Sequence, residues 1–301
     1  MRKATNEHIS APMSRIVNIF LCCFLVIPAA ARADDLLGQT IKGFRYPAYD
    51  EQGQLKMELS GDTARILPDN LIQIGNLRMT FYEEGKTVMR VATPSCVYDR
   101  EKQTAVSTSD VRVTRAEIII SGQGFDWNEK DKLVRIKNNS RVILQKKQPQ
   151  PYLSLEAGED FNIPEADTNN TVITAKRLAF DQKKSTAVFE GKVVVADPDL
   201  KIESDRLTVS FSNDKKVELI EAEGNVVITR DTIKAVARKA SYAIAEGKVT
   251  LAGNPCVNRQ KDYLAADTIV LWRDSNRILC EPQAHLIIHS EQDAAGPFKN
   301  N

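Results

Sequence analysis

Apolar and polar side chains alternate along this chain with a period of two. In Ala187-Val-Phe-Glu-Gly-Lys-Val-Val-Val195, the residues Ala187, Phe189, Gly191, Val193 and Val195 share one face. In Ile220-Glu-Ala-Glu-Gly-Asn-Val-Val-Ile228, Ile220, Ala222, Gly224, Val226 and Ile228 do the same, with Glu221, Glu223 and Asn225 opposite. One apolar face at period two is a half-buried strand. A third copy of this phrase is Ala245-Glu-Gly-Lys-Val-Thr-Leu251. A second phrase is interleaved: Ala175-Lys-Arg-Leu-Ala-Phe180, Ser204-Asp-Arg-Leu-Thr-Val209, Ala237-Arg-Lys-Ala-Ser-Tyr242 and Ala266-Asp-Thr-Ile-Val-Leu271. Such self-similarity makes each unit one supersecondary piece, here two strands, that buries its apolar face only by stacking on neighbours. The expected fold is all-β: an elongated open β-jellyroll of two facing sheets built from repeated strand pairs, in two consecutive modules. Lys234 to Ala243 is rich in helix formers, but its register with the other copies makes it a strand. The recurring Gly191, Gly224 and Gly247 fall mid-strand, where glycine marks a bend or a close approach.

Turn signals punctuate the strands at Asp181-Gln-Lys-Lys184, Asp197-Pro-Asp199, Ser212-Asn-Asp214, Ala252-Gly-Asn-Pro255 and Arg273-Asp-Ser-Asn276. The first half carries a looser version of the grammar. Alternation is visible in Leu71 to Phe81, Lys132 to Ile136 and Arg141 to Leu144, and the pairs Tyr98-Asp99 and Phe125-Asp126 mirror Phe180-Asp181. Lys146-Lys-Gln-Pro-Gln-Pro151 breaks the pattern, because two prolines cannot continue a central strand. The expected organisation is therefore a β-domain over 34–147, a linker over 148–170, a second β-domain over 171–290 and a polar, disordered tail over 291–301.

The first 33 residues stand outside the fold. Arg2, Lys3 and Arg15 precede an apolar run from Ile16 to Ala31, which ends in Ala31-Arg32-Ala33. That is a secretory signal with a small-residue cleavage site; an uncleaved inner-membrane anchor is the alternative, although the run is short for a bilayer span. Export places the mature chain in an oxidising compartment, the periplasm, where Cys256 and Cys280 form a candidate disulfide and Cys96 is left over. The 41 basic and 40 acidic residues nearly balance and are interspersed. Nucleic acid would want a basic stripe with aromatics, so none is expected as a partner. There is no Cys/His cluster for zinc, no nucleotide-binding G-x-x-x-x-G-K-[ST] loop and no G-x-S-x-G elbow. No cofactor and no catalytic residue is expected.

The motifs Ile173-Thr-Ala-Lys-Arg-Leu-Ala-Phe180, Phe189-Glu-Gly-Lys-Val-Val-Val195, Ile202-Glu-Ser-Asp-Arg-Leu-Thr-Val209, Ala222-Glu-Gly-Asn-Val226 and Ala265-Ala-Asp-Thr-Ile269 resemble the LptA/OstA family. These are periplasmic β-jellyrolls that shuttle lipopolysaccharide between the membranes of Gram-negative cells. The first half, through Phe44-Arg-Tyr-Pro-Ala-Tyr-Asp-Glu-Gln-Gly53 and the strands after it, is similar to the LptC family, an inner-membrane partner of the same fold. The resemblance implies lipopolysaccharide as ligand, an ATP-driven transporter complex in the inner membrane and an outer-membrane acceptor as partners, and head-to-tail self-association.

A carrier of this kind must hide acyl chains from water. At about 0.8 kcal/mol per methylene, one dodecanoyl-sized chain represents roughly 9 kcal/mol. The candidate lining lies on the repeated apolar face: Leu178, Phe180, Phe189, Val193, Val195, Leu207, Val209, Phe211, Ile220, Val226, Ile228, Tyr242, Ile269 and Leu271. For each, ordinary core packing is the competing reading, because a sandwich at native density leaves no room for lipid. Two other function classes compete. One is a structural β-repeat protein of the cell envelope with a solid core. The other is a polysaccharide-acting β-repeat enzyme, for which His285 and His289 offer at most half a metal site. The open edges expected to pair with partners are the strands near Phe44 to Leu59 and the last strand, Ala284 to His289.

Overall fold

The computed structural model describes residues 37–115, 118–128, 130–145, 169–213, 216–272 and 277–288. The expected signal segment, the linker, His289 and the tail lie outside them, apart from a few residues at the linker's ends. All regular structure among the described residues is β. Seven strands precede the linker: β1 (Thr40–Tyr49), β2 (Leu55–Ile66), β3 (Leu71–Glu83), β4 (Lys86–Asp99), β5 (Thr104–Arg115), β6 (Ile118–Asn128) and β7 (Leu133–Leu144). Twelve follow it: β8 (Thr171–Ala175), β9 (Arg177–Asp181), β10 (Thr186–Asp197), β11 (Leu200–Phe211), β12 (Val217–Arg230), β13 (Ile233–Ala243), β14 (Lys248–Ala252), β15 (Cys256–Arg259), β16 (Asp262–Ala265), β17 (Thr268–Trp272), β18 (Arg277–Glu281) and β19 (His285–Ile287). The helix-forming stretch from Lys234 to Ala243 is strand β13, as its register requires.

Consecutive strands pair antiparallel from β1 to β8 and from β9 to β14, and the short strands β8/β9, β14/β15, β16/β17 and β18/β19 act in twos as successive rungs, so the chain meanders as one ladder. The ladder does not stop at the linker. Strand β7 pairs with β8 through Leu144↔Thr171 and Val142↔Ile173, and with β9 through Val134↔Phe180 and Ile136↔Leu178. The two expected modules are therefore one hydrogen-bonded sheet.

A crease runs across this sheet and makes it two-layered. In β10, Gly191 and Lys192 oppose the single residue Asp205; in β12, Gly224 and Asn225 oppose Arg238. Two residues against one is a β-bulge, which bends the strand. Both glycines adopt positive φ, 83° and 75°, and so do Lys192 and Asn225. Short strands mark the same crease where the chain breaks: β8 and β9 both pair with β10, and β14 and β15 both pair with β13. Ala252-Gly-Asn-Pro255, expected to turn one strand into the next, is thus the bend between two halves of one strand path. The glycine expectation holds at Gly191 and Gly224. A Cβ on Gly224 would lie 2.4 Å from the Asp205 carboxylate, so the approach is close as well as bent. It fails at Gly247, which sits in the β13–β14 turn; Gly253, at φ 78°, takes the third place at the crease.

The same local device closes hairpins in both halves. Asp99 Oδ1 accepts the Lys102 N–H at 2.9 Å, Asn128 Oδ1 the Asp131 N–H at 3.0 Å, and Asp181 Oδ1 the Lys184 N–H at 3.0 Å. The partner of Phe180-Asp181 in β6 is therefore Trp127-Asn128 rather than Phe125-Asp126, whose aspartate instead pairs with Lys137 at 2.7 Å.

Candidate functional site

Strand register brings the interior side chains into rows that cross the whole ladder. The row nearest the crease runs Phe125, Ile136, Leu178, Phe189, Leu207, Ala222, Ala240, Leu251, Ile269, Cys280. All are buried up to Ile269. On the far side of the crease, Val193 and Val226 are each only 1% exposed. These side chains form the closed root of the interior.

Away from the crease lie two further rows. One runs Tyr98, Ala105, Trp127, Val134, Phe180, Ala187, Val209, Ile220, Tyr242, Val249, Leu271, Ile278. The other runs Tyr46, Leu59, Met79, Val91, Val113, Ile120, Val142, Ile173, Val195, Ile202, Ile228, Ala235, Val257, Leu264, Leu286. Neither row contains a charged residue. Burial varies within both rows, and half-buried members occur in both halves, Met79, Val113, Ile120 and Val134 among those of the first. Tyr98 and Trp127 are buried; Ile220, Tyr242, Val249 and Leu271 are half-buried; Ile278 is 55% exposed. In the other row Leu59 is 1% exposed, Ile202 and Ile228 are half-buried, and Leu286 is 58% exposed.

The fourteen expected lining residues all lie in this interior, but in two classes. Leu178, Phe189, Val193, Leu207, Val226 and Ile269 are buried near the crease, and Val209 and Phe211 are buried farther from it. Phe180, Val195, Ile220, Ile228, Tyr242 and Leu271 remain half-open and form the accessible wall. Phe180 and Phe211 meet edge-to-face with ring centroids 6.3 Å apart. Sequence reasoning missed Ile173, Ile202, Val249, Val257 and Leu264, which complete the half-open rows. The bulges shift the odd–even parity along a strand, so Ile202 and Leu207 share the interior despite odd spacing; the recurring Gly-Asn and Ser-Asp pairs were the available signal.

The opposite face is polar. Glu190 bridges Arg206 at 2.7 Å and Arg177 at 3.5 Å, and Lys239 bridges Glu221 at 2.9 Å and Glu223 at 3.1 Å. Exposed pairs of this kind contribute little stability each, but they keep this face solvated. At the crease Asp205 accepts the Asn225 side-chain amide at 2.8 Å, and Asp62 accepts that of Asn76 at 2.7 Å. The Asn76 amide, then Arg78, hold the Asp62 carboxyl below its ordinary value.

Among the described residues the cysteines do not pair. Cys96, Cys256 and Cys280 are all free. The expected Cys256–Cys280 bridge is not formed; β15 pairs with β13 and β16, whereas β18 pairs with β17. Burial pushes the Cys96 thiol up to about 12. Of the two candidate histidines, His289 is outside the described residues and His285 stacks edge-on against Tyr263 at 6.2 Å. Among the described residues no His/Cys/Asp/Glu group could hold a metal ion.

The ladder's ends are apolar. Strand β1 pairs with β2, β18 with β17 and β19 with β16, and no second partner exists for them among the described residues. Seven of the ten exposed large apolar residues flank these ends: Leu37, Ile41 and Tyr49 at one, Ile278, Leu286, Ile287 and Ile288 at the other.

Residues 172–277 match the family described as LptA/(LptD N-terminal domain) LPS transport protein. The matched residues lie wholly in the second half. Among solved structures the chain is similar to LptH, the LptA-homologous periplasmic component of the lipopolysaccharide transport device from Pseudomonas aeruginosa. The identity is 18%, over 39% of this chain and 94% of that one, with a TM-score of 0.36. A search of curated proteins finds no match.

Proposed function

We propose that this LptA-like protein is a periplasmic carrier that shields the acyl chains of lipopolysaccharide inside the creased β-ladder during transport between the membranes. The observation that supports this most is the pair of uncharged rows, in which Phe180, Ile220, Tyr242 and Leu271 on one side and Ile202 and Ile228 on the other are half-open. A solid core would bury these large side chains fully; an interior that accepts lipid leaves them partly uncovered. Strands β9 to β18 span seven inter-strand steps, a corridor of about 34 Å at the usual strand spacing.

The corridor has no preferred direction by itself. Directional flow needs an energy source outside this chain, supplied in this reading by an inner-membrane ATP-driven complex. The apolar edges β1 and β18/β19 are suited to strand addition by an inner-membrane partner, an outer-membrane acceptor or another copy in head-to-tail order. The LptC-like reading of 34–147 assigns the β1 end to the inner-membrane side.

Native mass spectrometry of the protein purified from its host envelope, or after incubation with purified lipopolysaccharide, tests the carrier reading. A bound species of lipopolysaccharide mass is expected. Protein that stays lipid-free under both conditions would leave a structural β-repeat protein as the better reading.

A further inference from the structure

Strand register also orders the outer face. Val113, Ile120 and Val142 line the interior, so Arg112, Ser121 and Arg141, one position away on β5, β6 and β7, project to the opposite side. Followed back to the first strand, this outer row holds Arg45, Arg78, Arg112 and Arg141 on β1, β3, β5 and β7. The small residues Ser60, Ala92 and Ser121 stand between them. Successive arginines are therefore about 9.5 Å apart along the row. Past β7 the row continues through Thr174, Val194, Glu203 and Val227, and the cations stop.

Two of the four arginines are neutralised within the ladder. Arg45 pairs with Glu58 at 3.1 Å and Arg78 with Asp62 at 3.3 Å. Arg112 and Arg141 instead line a cleft of about 270 Å³ where the crease crosses β5, β6 and β7. The bulged strands bring Ser121, Gln123 and Asn139 to the same cleft, so hydroxyl and amide donors stand beside the guanidiniums. Arg141 makes no ion pair among the described residues, and its Nε is buried with no hydrogen-bond partner. Arg112 is only 8% exposed. Asp110, the one carboxylate of the lining, is exposed and makes no ion pair among the described residues. Two guanidiniums against one carboxylate leave the cleft positive. A guanidinium drawn out of water is stabilised by an anion that accepts its forked donors. The cleft is smaller than the roughly 300–1,000 Å³ of a pocket for a drug-sized molecule, which suits it to a single small group.

We infer that this cleft is a phosphate-binding site, with the group held between Arg112 and Arg141 and Ser121 as a further donor. Guanidiniums on two sides call for acceptors on two sides, which a tetrahedral phosphate offers and a carboxylate edge does not. The phosphate is either a free ion or an ester on a glycolipid headgroup. The inference is independent of the carrier reading, because binding here needs no acyl chain.

The folded, lipid-free, full-length protein is titrated calorimetrically with inorganic phosphate, with ionic strength held constant by chloride. Saturable binding is expected. Arg141→Gln should weaken it by about tenfold or more, whereas Arg45→Gln, in the same row but outside the cleft, should change it by less than about twofold. Thermal melts without phosphate show whether each variant is folded, and Arg141→Lys, which keeps the charge and loses the fork, replaces Arg141→Gln if that variant is not. No saturable binding in the parent, or equal affinity in the parent and the folded Arg141 variant, overturns the site and leaves the carrier reading intact. The phosphate-bound parent is then challenged with vesicles of lipopolysaccharide, intact or dephosphorylated. Displacement by the intact form alone supports the site and assigns it to a headgroup phosphate. Displacement by neither supports it as a site for the free ion. Equal displacement by both contradicts recognition of phosphate.

Discussion

The two halves of the ladder are built on the same plan and filled differently. Both use antiparallel hairpins closed by an Asp or Asn side chain, a creased sheet, and interior rows that run in register from one into the other. Leaving alanines aside, nine core side chains are buried from β8 onward: Leu178, Phe189, Val193, Leu207, Val209, Phe211, Val226, Leu251 and Ile269. Twice as many are buried from β1 to β7, over a similar length of chain. The first half spends Met57, Phe81, Met89, Tyr98 and Trp127 on filling its own interior. The second places Ala187, Ala222, Ala235 and Ala240 at interior positions. The same meander is thus filled with more large buried side chains before the linker than after it, where four of the rungs are also broken into short strands.

The largest effect that separates the halves is expected from truncating an aromatic in each. Phe81→Ala removes a ring that is 2% exposed and should cost about 3–5 kcal/mol. Phe180→Ala, at a half-open position, should cost roughly 1–2 kcal/mol, because less buried area is lost. Denaturant melts of the two variants check this, and equal losses would mean that the second half is as solid as the first. Phe189→Ala does not discriminate: Phe189 sits at the buried root and should behave like Phe81.

The crease is common to both halves and should be costly to disturb. Gly224→Val forces a side chain onto a backbone at φ 75° and against Asp205, and should destabilise by about 1–3 kcal/mol. Thermal melts beside Gly85→Val test the spatial part of the claim. Gly85 has positive φ but open space around its Cβ position, so the difference between the two isolates the close approach.

A smaller effect on stability, with a larger one on binding, is expected on the corridor wall. Ile228→Ser should change stability by only about 1 kcal/mol while weakening retention of lipopolysaccharide, read as the fraction of lipid-bound protein in a native mass spectrum. The smallest effect concerns the first half's turn. Asp99 is held below its ordinary value of 3.8 by the Lys102 N–H, then by the Lys102 ammonium at 2.9 Å. A depressed carboxyl stabilises the fold above its unfolded value, and that contribution fades as the pH falls through the lower folded value. Asp99→Asn keeps an acceptor, as Asn128 shows in the equivalent turn, so it should be nearly neutral at pH 7. It should also flatten the acid limb of the stability curve below about pH 4.

Much of this was legible in the sequence. The period-two alternation of Ala187 to Val195 and Ile220 to Ile228 identifies strands, and the recurring glycine announces the bend. The repeat is misphased where a turn and a bulge share the same residue types: Ala245-Glu-Gly247 is a hairpin turn, and Gly253-Asn254 is the crease. Alternation also cannot tell a root residue from a wall residue. Phe189 and Phe180 read alike in sequence, and only their distance from the crease separates them. Cys256 and Cys280 lie on strands that are close in the chain but do not pair with each other, which their sequence spacing does not reveal. The burial of the first half was hidden because its large residues, Met57, Phe81 and Met89, lie opposite one another in the ladder but share no recurring sequence phrase.

Native thiols offer the most direct test of the central contrast, since Cys96 is buried in the first half and Cys280 is half-buried in the second. The folded, full-length protein is treated with a small apolar maleimide at neutral pH, and each site is quantified by peptide mass spectrometry, with and without lipopolysaccharide. Cys280 should label readily and be protected by lipopolysaccharide, while Cys96 stays unlabelled in both samples until denaturant is added. Labelling of Cys96 in the folded protein at a rate similar to Cys280, or a Cys280 as inert as Cys96 before lipid is added, would contradict the division into a packed half and an open one.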